Sequence, residues 1–179
     1  MNIISIDLDI LFQCHKYEKY IFYDIEPKMA WKVIDLLNIE YSPDYEKIYK
    51  LLNIIRDIPK EKRYIIENHE EILDFLKEYK NVNLYNFDYH HDTGYKEFSY
   101  TPNGGNWVLF AKNNKYIKNY FWFKNEFSDI QKNKPFYFEE YNILDEYSLP
   151  KFDMAVICIS KHYTPFKYWD LCQIFKEEE

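Results

Sequence analysis

Carboxylates and imidazoles recur at two-residue spacing in two short stretches of this sequence. Asp88, His90 and Asp92 form one series, and Asp7 and Asp9 form another. In an extended backbone, residues two apart point to the same side, so each series can direct its side chains at one point. Both series follow apolar runs typical of buried strands. We therefore expect both groups at strand ends, where α/β sheets place their ligands.

The mixture of donor atoms indicates which ion such a site would hold. Oxygen-rich sites with one or two imidazoles suit hard or borderline ions such as manganese, whereas zinc sites more often include cysteine or further histidines. For Asp7 and Asp9 taken alone, a helix cap or a solvated strand end is the more ordinary interpretation. That alternative is weaker for Asp88, His90 and Asp92 with the adjoining His91, because so many polar groups beside a buried strand require a compensating partner.

Short apolar runs alternate with segments of helical periodicity along the chain. The runs predict strands at residues 2–8, 63–67, 82–87, 116–123 and 153–159. Helical spacing predicts helices over 28–38, 44–58, 69–79 and 106–111, and a last helix that begins near Pro165. Strands alternating with helices predict an α/β fold, a three-layer α/β/α sandwich with a mostly parallel sheet. We expect the ends of strands 3–8 and 82–87 to be close neighbours within a single domain of residues 1–179.

Charge and composition restrict the classes of partner. The formal net charge is −7, and no basic stripe offsets it, so nucleic acid is not an expected partner. Without a transmembrane-length apolar run or a signal-peptide pattern, we expect no membrane partner and a cytoplasmic location, in the host cytoplasm if the chain is of phage origin. Cys14, Cys158 and Cys172 are odd in number and far apart, which predicts neither a disulfide framework nor a CxxC metal site.

Several motifs together resemble one superfamily. Residues 88–92 (DYHHD) match an Asp-x-His-x-Asp motif, residues 5–9 (SIDLD) match a Ser-x-Asp-x-Asp strand end, and residues 64–69 (YIIENH) look like a strand-to-helix turn that ends in a histidine. These are motifs of the arginases and histone-deacetylase-like ureohydrolases. Asn106-Trp107 and the aromatic strand at 120–123 make the chain most similar to an uncharacterised arginase-like family. In the superfamily the Ser-x-Asp-x-Asp strand follows the other motifs, so the motif order here is circularly permuted, and Asn68 stands where an aspartate is usual.

The resemblance implies an arginase/deacetylase-like fold and a dinuclear manganese site, with zinc or iron as alternative metals. Its six implied ligands are Asp7, Asp9, His69, Asp88, His90 and Asp92. Two adjacent ions would acidify a water for attack on an amide, amidine or guanidine carbon, so the expected activity is hydrolysis of a carbon–nitrogen bond in a small molecule or peptide.

This chemistry also requires a proton shuttle. His91 and His162 are the candidates, with His15 as a third, although His162 is equally explained as a surface histidine. Asn106 is a candidate for contacting the substrate or for capping a helix, with capping favoured, and Trp107 is expected in the core.

Two alternative functions use the same residues. Clustered aspartates and histidines also hold the two metals of nucleases and phosphatases, so a metal-dependent phosphoesterase is the first alternative. The second is a non-catalytic protein that retains the metal pocket and binds a small ligand.

Overall fold

The computed structural model describes residues 1–21, 25–94, 101–128 and 135–178. Six strands in this part of the chain form one sheet in which every neighbouring pair is parallel. The strands are β1 (Asn2–Asp7), β2 (Arg63–Ile66), β3 (Val82–Phe87), β4 (Ile117–Lys124), β5 (Glu139–Asn142) and β6 (Met154–Cys158). Their order across the sheet is β2-β6-β1-β3-β4-β5. The predicted α/β class with a parallel sheet is confirmed.

Helices cover both faces of this sheet. The α-helices of the described residues are α1 (Pro27–Leu36), α2 (Tyr45–Ile55), α3 (Leu73–Tyr79), α4 (Trp107–Asn113) and α5 (Leu171–Glu177). Ile4 and Ile6 of β1 belong to one hydrophobic cluster, whereas Ile3 belongs to another, because successive side chains of a strand point to opposite faces. The first cluster contains buried residues of α1, α2 and α5, namely Trp31, Ile34, Leu51, Ile55, Cys172 and Phe175. The second contains buried residues of α3 and α4, namely Leu73, Leu76, Trp107, Val108 and Ala111.

The connections between strands change direction at the centre of the sheet. The chain leaves β1 through α1 and α2 on the first face, and it leaves the adjacent β3 through α4 on the second face. Neighbouring strands whose connections depart to opposite faces leave a gap at their carboxyl ends, and open α/β sheets bind ligands in that gap. Ile6 pairs with Phe87, so the ends of β1 and β3 are close neighbours, as predicted.

Several element boundaries differ from the predicted ones. Strand β1 ends at Asp7, because Leu8–Leu11 forms a 3-10 turn, and the helix predicted from residue 69 begins as another 3-10 turn, His69–Ile72. The predicted last helix is a 3-10 turn at Phe166–Tyr168 followed by α5. Strand β5 had no apolar run to predict it. Among the helices described, none is long and apolar enough to cross a membrane.

Candidate metal centre

The turn after β1 places Asp7 and Asp9 at separate points of the site. Asp7 Oδ1 accepts a hydrogen bond from the Asp9 backbone N–H at 3.2 Å, which caps the 3-10 turn. The Asp9 carboxylate instead accepts from the Tyr89 N–H at 3.1 Å. The prediction that both side chains project from one side of an extended strand is therefore wrong, because a turn separates them.

The segment after β3 also turns rather than continuing as a strand. The His90 N–H donates to Asp88 Oδ1 at 2.8 Å, and Asp92 has a φ of +51°, a left-handed conformation that aspartate tolerates better than most residues. The start of α4 fixes this conformation. The Val108 N–H donates to the Asp92 carbonyl at 3.1 Å, and Trp107 Nε1 donates to Asp92 Oδ2 at 2.6 Å.

His69 enters the site from the first turn after β2. The Glu71 carboxylate accepts from the N–H groups of Glu67 and Asn68, both at 3.2 Å, which fixes the start of this turn. The Asn68 side-chain amide also donates to Glu71, at 2.9 Å. An aspartate at position 68 would be repelled by that carboxylate, so an asparagine suits this position.

The His69 ring faces three carboxylates at once. Its Nδ1 lies 3.1 Å from Oδ2 of Asp7, of Asp88 and of Asp92. Nδ1 makes no hydrogen bond of acceptable geometry, so it points between these oxygens rather than at one of them. Ser5 Oγ lies 2.7 Å from Nε2 and can accept a hydrogen bond from the Nε2 proton, so Nδ1 is the nitrogen whose lone pair would bind an ion once the Nδ1 proton is displaced. Ligands about 2.1 Å from one ion and at right angles stand roughly 3 Å apart, so this spacing suits octahedral coordination.

A second group of ligand atoms adjoins the first. His90 Nδ1 lies 3.1 Å from Asp9 Oδ2, and ligand atoms of Asp9, Asp88 and His90 all lie within 4.8 Å of one another. Asp88 belongs to this group and also to the group with His69 and Asp92. A carboxylate shared between two adjacent positions is the arrangement expected in a dinuclear site. The structure thus brings together all six predicted ligands.

Because the four carboxyl groups of this cluster are buried close together, it is unfavourable for all of them to be ionised when no cation is bound. Burial, followed by the charges of Asp92 and Asp7, raises the pKa of Asp88 to about 7. Burial with Asp7 and Asp88 raises the pKa of Asp9 well above its ordinary range. Burial acts to lower the pKa of His69, but its three carboxylate neighbours raise it well above the usual value. Two divalent ions would supply four positive charges against the four carboxylates.

Two tryptophans and an asparagine hold the aspartates in place. Trp107 is fully buried in the core, as expected, and its ring also lies 4.6 Å from the His69 ring while its N–H donates to Asp92. Trp122 Nε1 donates to the Asp88 carbonyl at 2.9 Å, and Asn86 Nδ2 donates to Asp88 Oδ2 at 3.0 Å. Sequence reasoning missed these contacts, because a donor to a distant carboxylate leaves no pattern in the local sequence.

Cys158 is a further member of the site that sequence reasoning missed. It pairs with Asp7 in the β1–β6 register, and ligand atoms of Asp7, His69 and Cys158 lie within 4.8 Å of one another. The only sequence signal was its position near the end of the strand predicted at 153–159. The separation of the three cysteines along the chain argues against a CxxC metal site, but it does not exclude a single cysteine ligand.

His91 lies beside the cluster but is turned into the core. The side chain is fully buried, and its Nδ1 accepts from the Thr93 N–H at 3.1 Å and lies 2.8 Å from Thr93 Oγ1. Its ring packs edge-on against Trp122 at 5.5 Å. Within the described residues, His91 is not part of a group of potential ligand atoms. Its role as a proton shuttle stays a prediction.

The other predicted residues lie around the cluster. His162, in the loop after β6, has a pKa lowered by burial, with Glu26 acting in the opposite direction. His15 is exposed and its ring lies 4.4 Å from that of Phe127. Asn106 occupies the N-cap position of α4, but the predicted side-chain cap is wrong, because its side chain instead accepts from the Asn103 N–H and donates to the carbonyl of residue 101. Roles for these residues toward a substrate stay predictions.

Comparison with known proteins finds no match for this chain among family models, curated proteins or solved structures. The resemblance to the arginase-like superfamily therefore stays a prediction that rests on the motif residues.

Proposed function

We propose that this chain is a metal-dependent hydrolase of the arginase-like type, which holds two divalent ions and cleaves a carbon–nitrogen bond in a small molecule or peptide. The observation that carries the proposal is the convergence of His69 Nδ1 and three carboxylate oxygens. Nδ1 lies 3.1 Å from each of these oxygens but makes no well-aligned hydrogen bond to any of them. The adjacent group of Asp9, Asp88 and His90 supports a second ion, because Asp88 is common to both groups.

The fold assignment within this proposal is an arginase/deacetylase-like three-layer sandwich with a permuted motif order. Helices on both faces of a parallel sheet and a ligand cluster at the carboxyl ends of β1 and β3 support it. A metal cluster depends on the spatial positions of its ligands, so a permuted chain can retain the site.

The donor set supports manganese as the first choice of metal. Four carboxylates and two imidazoles are mainly oxygen donors, which suit octahedral ions such as manganese. When bound, two adjacent ions acidify a water and stabilise the negative charge that develops as the carbon–nitrogen bond is attacked.

The protein's own residues orient the ligands and define where a substrate enters. Ser5 holds the His69 ring through Nε2, and the Tyr89 N–H holds Asp9. His90 is the most exposed of the six ligands, with 17% of its side chain accessible, and its ring packs 4.7 Å from that of Tyr163. The substrate therefore approaches from the His90 side. A cytoplasmic location is also part of the proposal, because the three buried cysteines form no disulfide among the described residues.

Metal binding and turnover together test this proposal. Metal-free protein should bind about two equivalents of Mn²⁺ by calorimetry, and Asp88→Asn should weaken both binding events because Asp88 serves both positions. Asp74→Asn is the matched control, since Asp74 is exposed and pairs with Lys77 away from the site. The wild-type protein and the control should hydrolyse members of a panel of amides, amidines and guanidines, whereas Asp88→Asn should not.

Other results would overturn the proposal. Failure of the wild-type protein to bind Mn²⁺, Zn²⁺ or Fe²⁺ would exclude the metal site. Turnover of phosphodiesters alone would favour the phosphoesterase, and tight binding of two ions with no turnover of any panel member would favour the non-catalytic binder.

A further inference from the structure

Cys158 occupies a place in the metal centre that the six proposed ligands do not explain. It is the last residue of β6, and its register partner is Asp7 at the end of β1. Residues paired across neighbouring parallel strands project from the same face of the sheet. The thiol and the Asp7 carboxylate therefore lie on one face, at the edge where His69 also enters.

The distances place the sulfur within reach of an ion at the His69 position. Ligand atoms of Asp7, His69 and Cys158 are all within 4.8 Å of one another. Zinc binds sulfur at about 2.3 Å and nitrogen or oxygen at about 2.1 Å, so a sulfur and a nitrogen or oxygen on one tetrahedral zinc stand roughly 3.6 Å apart. Side-chain rotations that close the gaps between the donor atoms by about 1 Å are enough to bring all three donors onto one ion.

The surroundings of the thiol offer little competition for it. Cys158 is fully buried, and its thiol donates to the Glu67 carbonyl at 3.7 Å, a long contact for a weak donor, while the Ser160 backbone also hydrogen-bonds to the sulfur. Independently, His69 is only 5% exposed and its Nδ1 points into the same space without a hydrogen bond. A buried nitrogen without a partner, a carboxylate and a thiol converge here.

We propose that Cys158 is a ligand of the ion at the His69 position, and that its sulfur makes this position prefer zinc over manganese. The inference rests on the proposed function, because it assumes that the carboxylate cluster binds divalent ions. On binding, the S–H bond breaks, a sulfur lone pair bonds to the ion, and the proton passes to the buffer. Soft sulfur ligands favour zinc over manganese, whereas the position formed by Asp9, Asp88 and His90 has only oxygen and nitrogen donors. The centre is thus built for two different metals.

Cobalt(II), a spectroscopic substitute for zinc, tests this inference without an activity assay. Titration of metal-free protein with Co²⁺ should produce visible d–d bands as ions bind, and a near-ultraviolet thiolate-to-cobalt charge-transfer band that saturates at one equivalent. Cys158→Ser should lose the charge-transfer band and keep the d–d bands. Cys172→Ser is the matched control, because the Cys172 thiol, in α5, donates to the Trp169 carbonyl. This variant should leave both signals unchanged.

Metal competition provides a second measurement. The ratio of zinc to manganese affinity at the first-filled position should fall at least about tenfold in Cys158→Ser, the lower limit of what the loss of a supporting residue costs a metal site. If that variant does not fold, the double variant Cys14→Ser/Cys172→Ser tests whether Cys158 binds the ion. Its remaining thiol is Cys158, so the charge-transfer band must persist, and loss of the band would overturn the inference.

The outcomes separate the two proposals. Cobalt binding with d–d bands and no charge-transfer band in the wild-type protein would overturn the role of Cys158 and leave the proposed function intact. No cobalt binding at all would overturn the proposed function together with this inference.

Discussion

Asp88 lies at the centre of the charged groups of the site. Its carboxylate is buried, belongs to both groups of potential ligands, and accepts hydrogen bonds from Asn86 and from the His90 backbone. Without a cation, ionising such a group next to Asp7 and Asp92 is unfavourable, which is why its pKa rises. Ionisation of Asp88 becomes favourable once a divalent ion supplies a positive charge beside it.

The stability of the metal-free protein should therefore fall as pH rises. The folded-state pKa of Asp88 is about 7, above its ordinary value of 3.8, so its contribution is complete below about pH 4 and is lost as pH rises through 7. The raised pKa values of Asp9 and His69 act in the same direction. Urea denaturation in EDTA should give a lower midpoint at pH 8 than at pH 5. Asp88→Asn should flatten this dependence while the exposed Asp74→Asn should not, and a higher wild-type midpoint at pH 8 would contradict the prediction.

Trp107 should control metal affinity through Asp92. Trp107→Phe keeps an aromatic ring against His69 but removes the N–H that donates to Asp92 Oδ2, so we expect Mn²⁺ affinity to fall about 10- to 100-fold, as for other residues that orient metal ligands. Trp31→Phe is the matched control, because Trp31 is equally buried and its N–H donates to the Lys161 carbonyl. Calorimetric titration compares the two. Equal affinities would show that the Trp107 N–H does not position Asp92.

At the scale of elements, the sequence predicted the central strands because each is an apolar run, and the ligands because they follow those runs. Two features escaped it. Strand β5, with the sequence EEYN, lies at the sheet edge and lacks the apolar pattern of a buried strand. The turns at Leu8–Leu11 and at Asp92 depend on contacts with residues 80 or 15 positions away, such as those from the Tyr89 N–H to Asp9 and from Trp107 to Asp92. The convergence of the ligands was predictable, whereas the turns that produce it were not.

Arg63 joins the edge strand β2 to the end of α5. Its buried guanidinium donates to the carbonyls of Ile58 and Glu178 at 2.8 Å, of Arg56 at 3.1 Å and of Phe175 at 3.2 Å. The bonds to Phe175 and Glu178 satisfy carbonyls at the carboxyl end of α5, where the last carbonyls of a helix have no partner within it.

Arg63→Met should therefore destabilise the protein by about 1–3 kcal/mol, because buried carbonyls lose their donor. Arg56→Met is the control, since the Arg56 side chain is exposed and bonds locally to Asn53. Urea denaturation of the metal-free proteins measures both. Equal losses of unfolding free energy in the two variants would contradict a role for Arg63 in attaching α5.

At the scale of the whole molecule, the site connects parts of the chain that are far apart in sequence. Ligands come from β1, from the turn after β2 and from the segment after β3, and α4 holds Asp92 through Trp107 and Val108. Strand β1 is central in the sheet; it supplies Asp7, and the turn that follows it supplies Asp9. An ion that bonds to all these segments would act as a crosslink that the unfolded chain cannot form.

Metal binding should therefore raise thermal stability, and the gain should depend on the buried carboxylates. A ligand that binds only the folded state at 100 times its Kd stabilises it by about 2.7 kcal/mol. For a chain of this length, each kcal/mol raises Tm by about 2–4 °C, so one ion should add on the order of 5–10 °C. Differential scanning fluorimetry at pH 7.5 should show this rise with Mn²⁺ or Zn²⁺ and its reversal by EDTA. Asp74→Asn should retain the rise, because Asp74 is exposed on α3. Asp88→Asn should lose most of it, and it should also start from a higher metal-free Tm than the wild-type protein, because the amide removes one of the mutually repelling charges. A Tm that responds to neither metal would contradict a metal-binding role for the cluster.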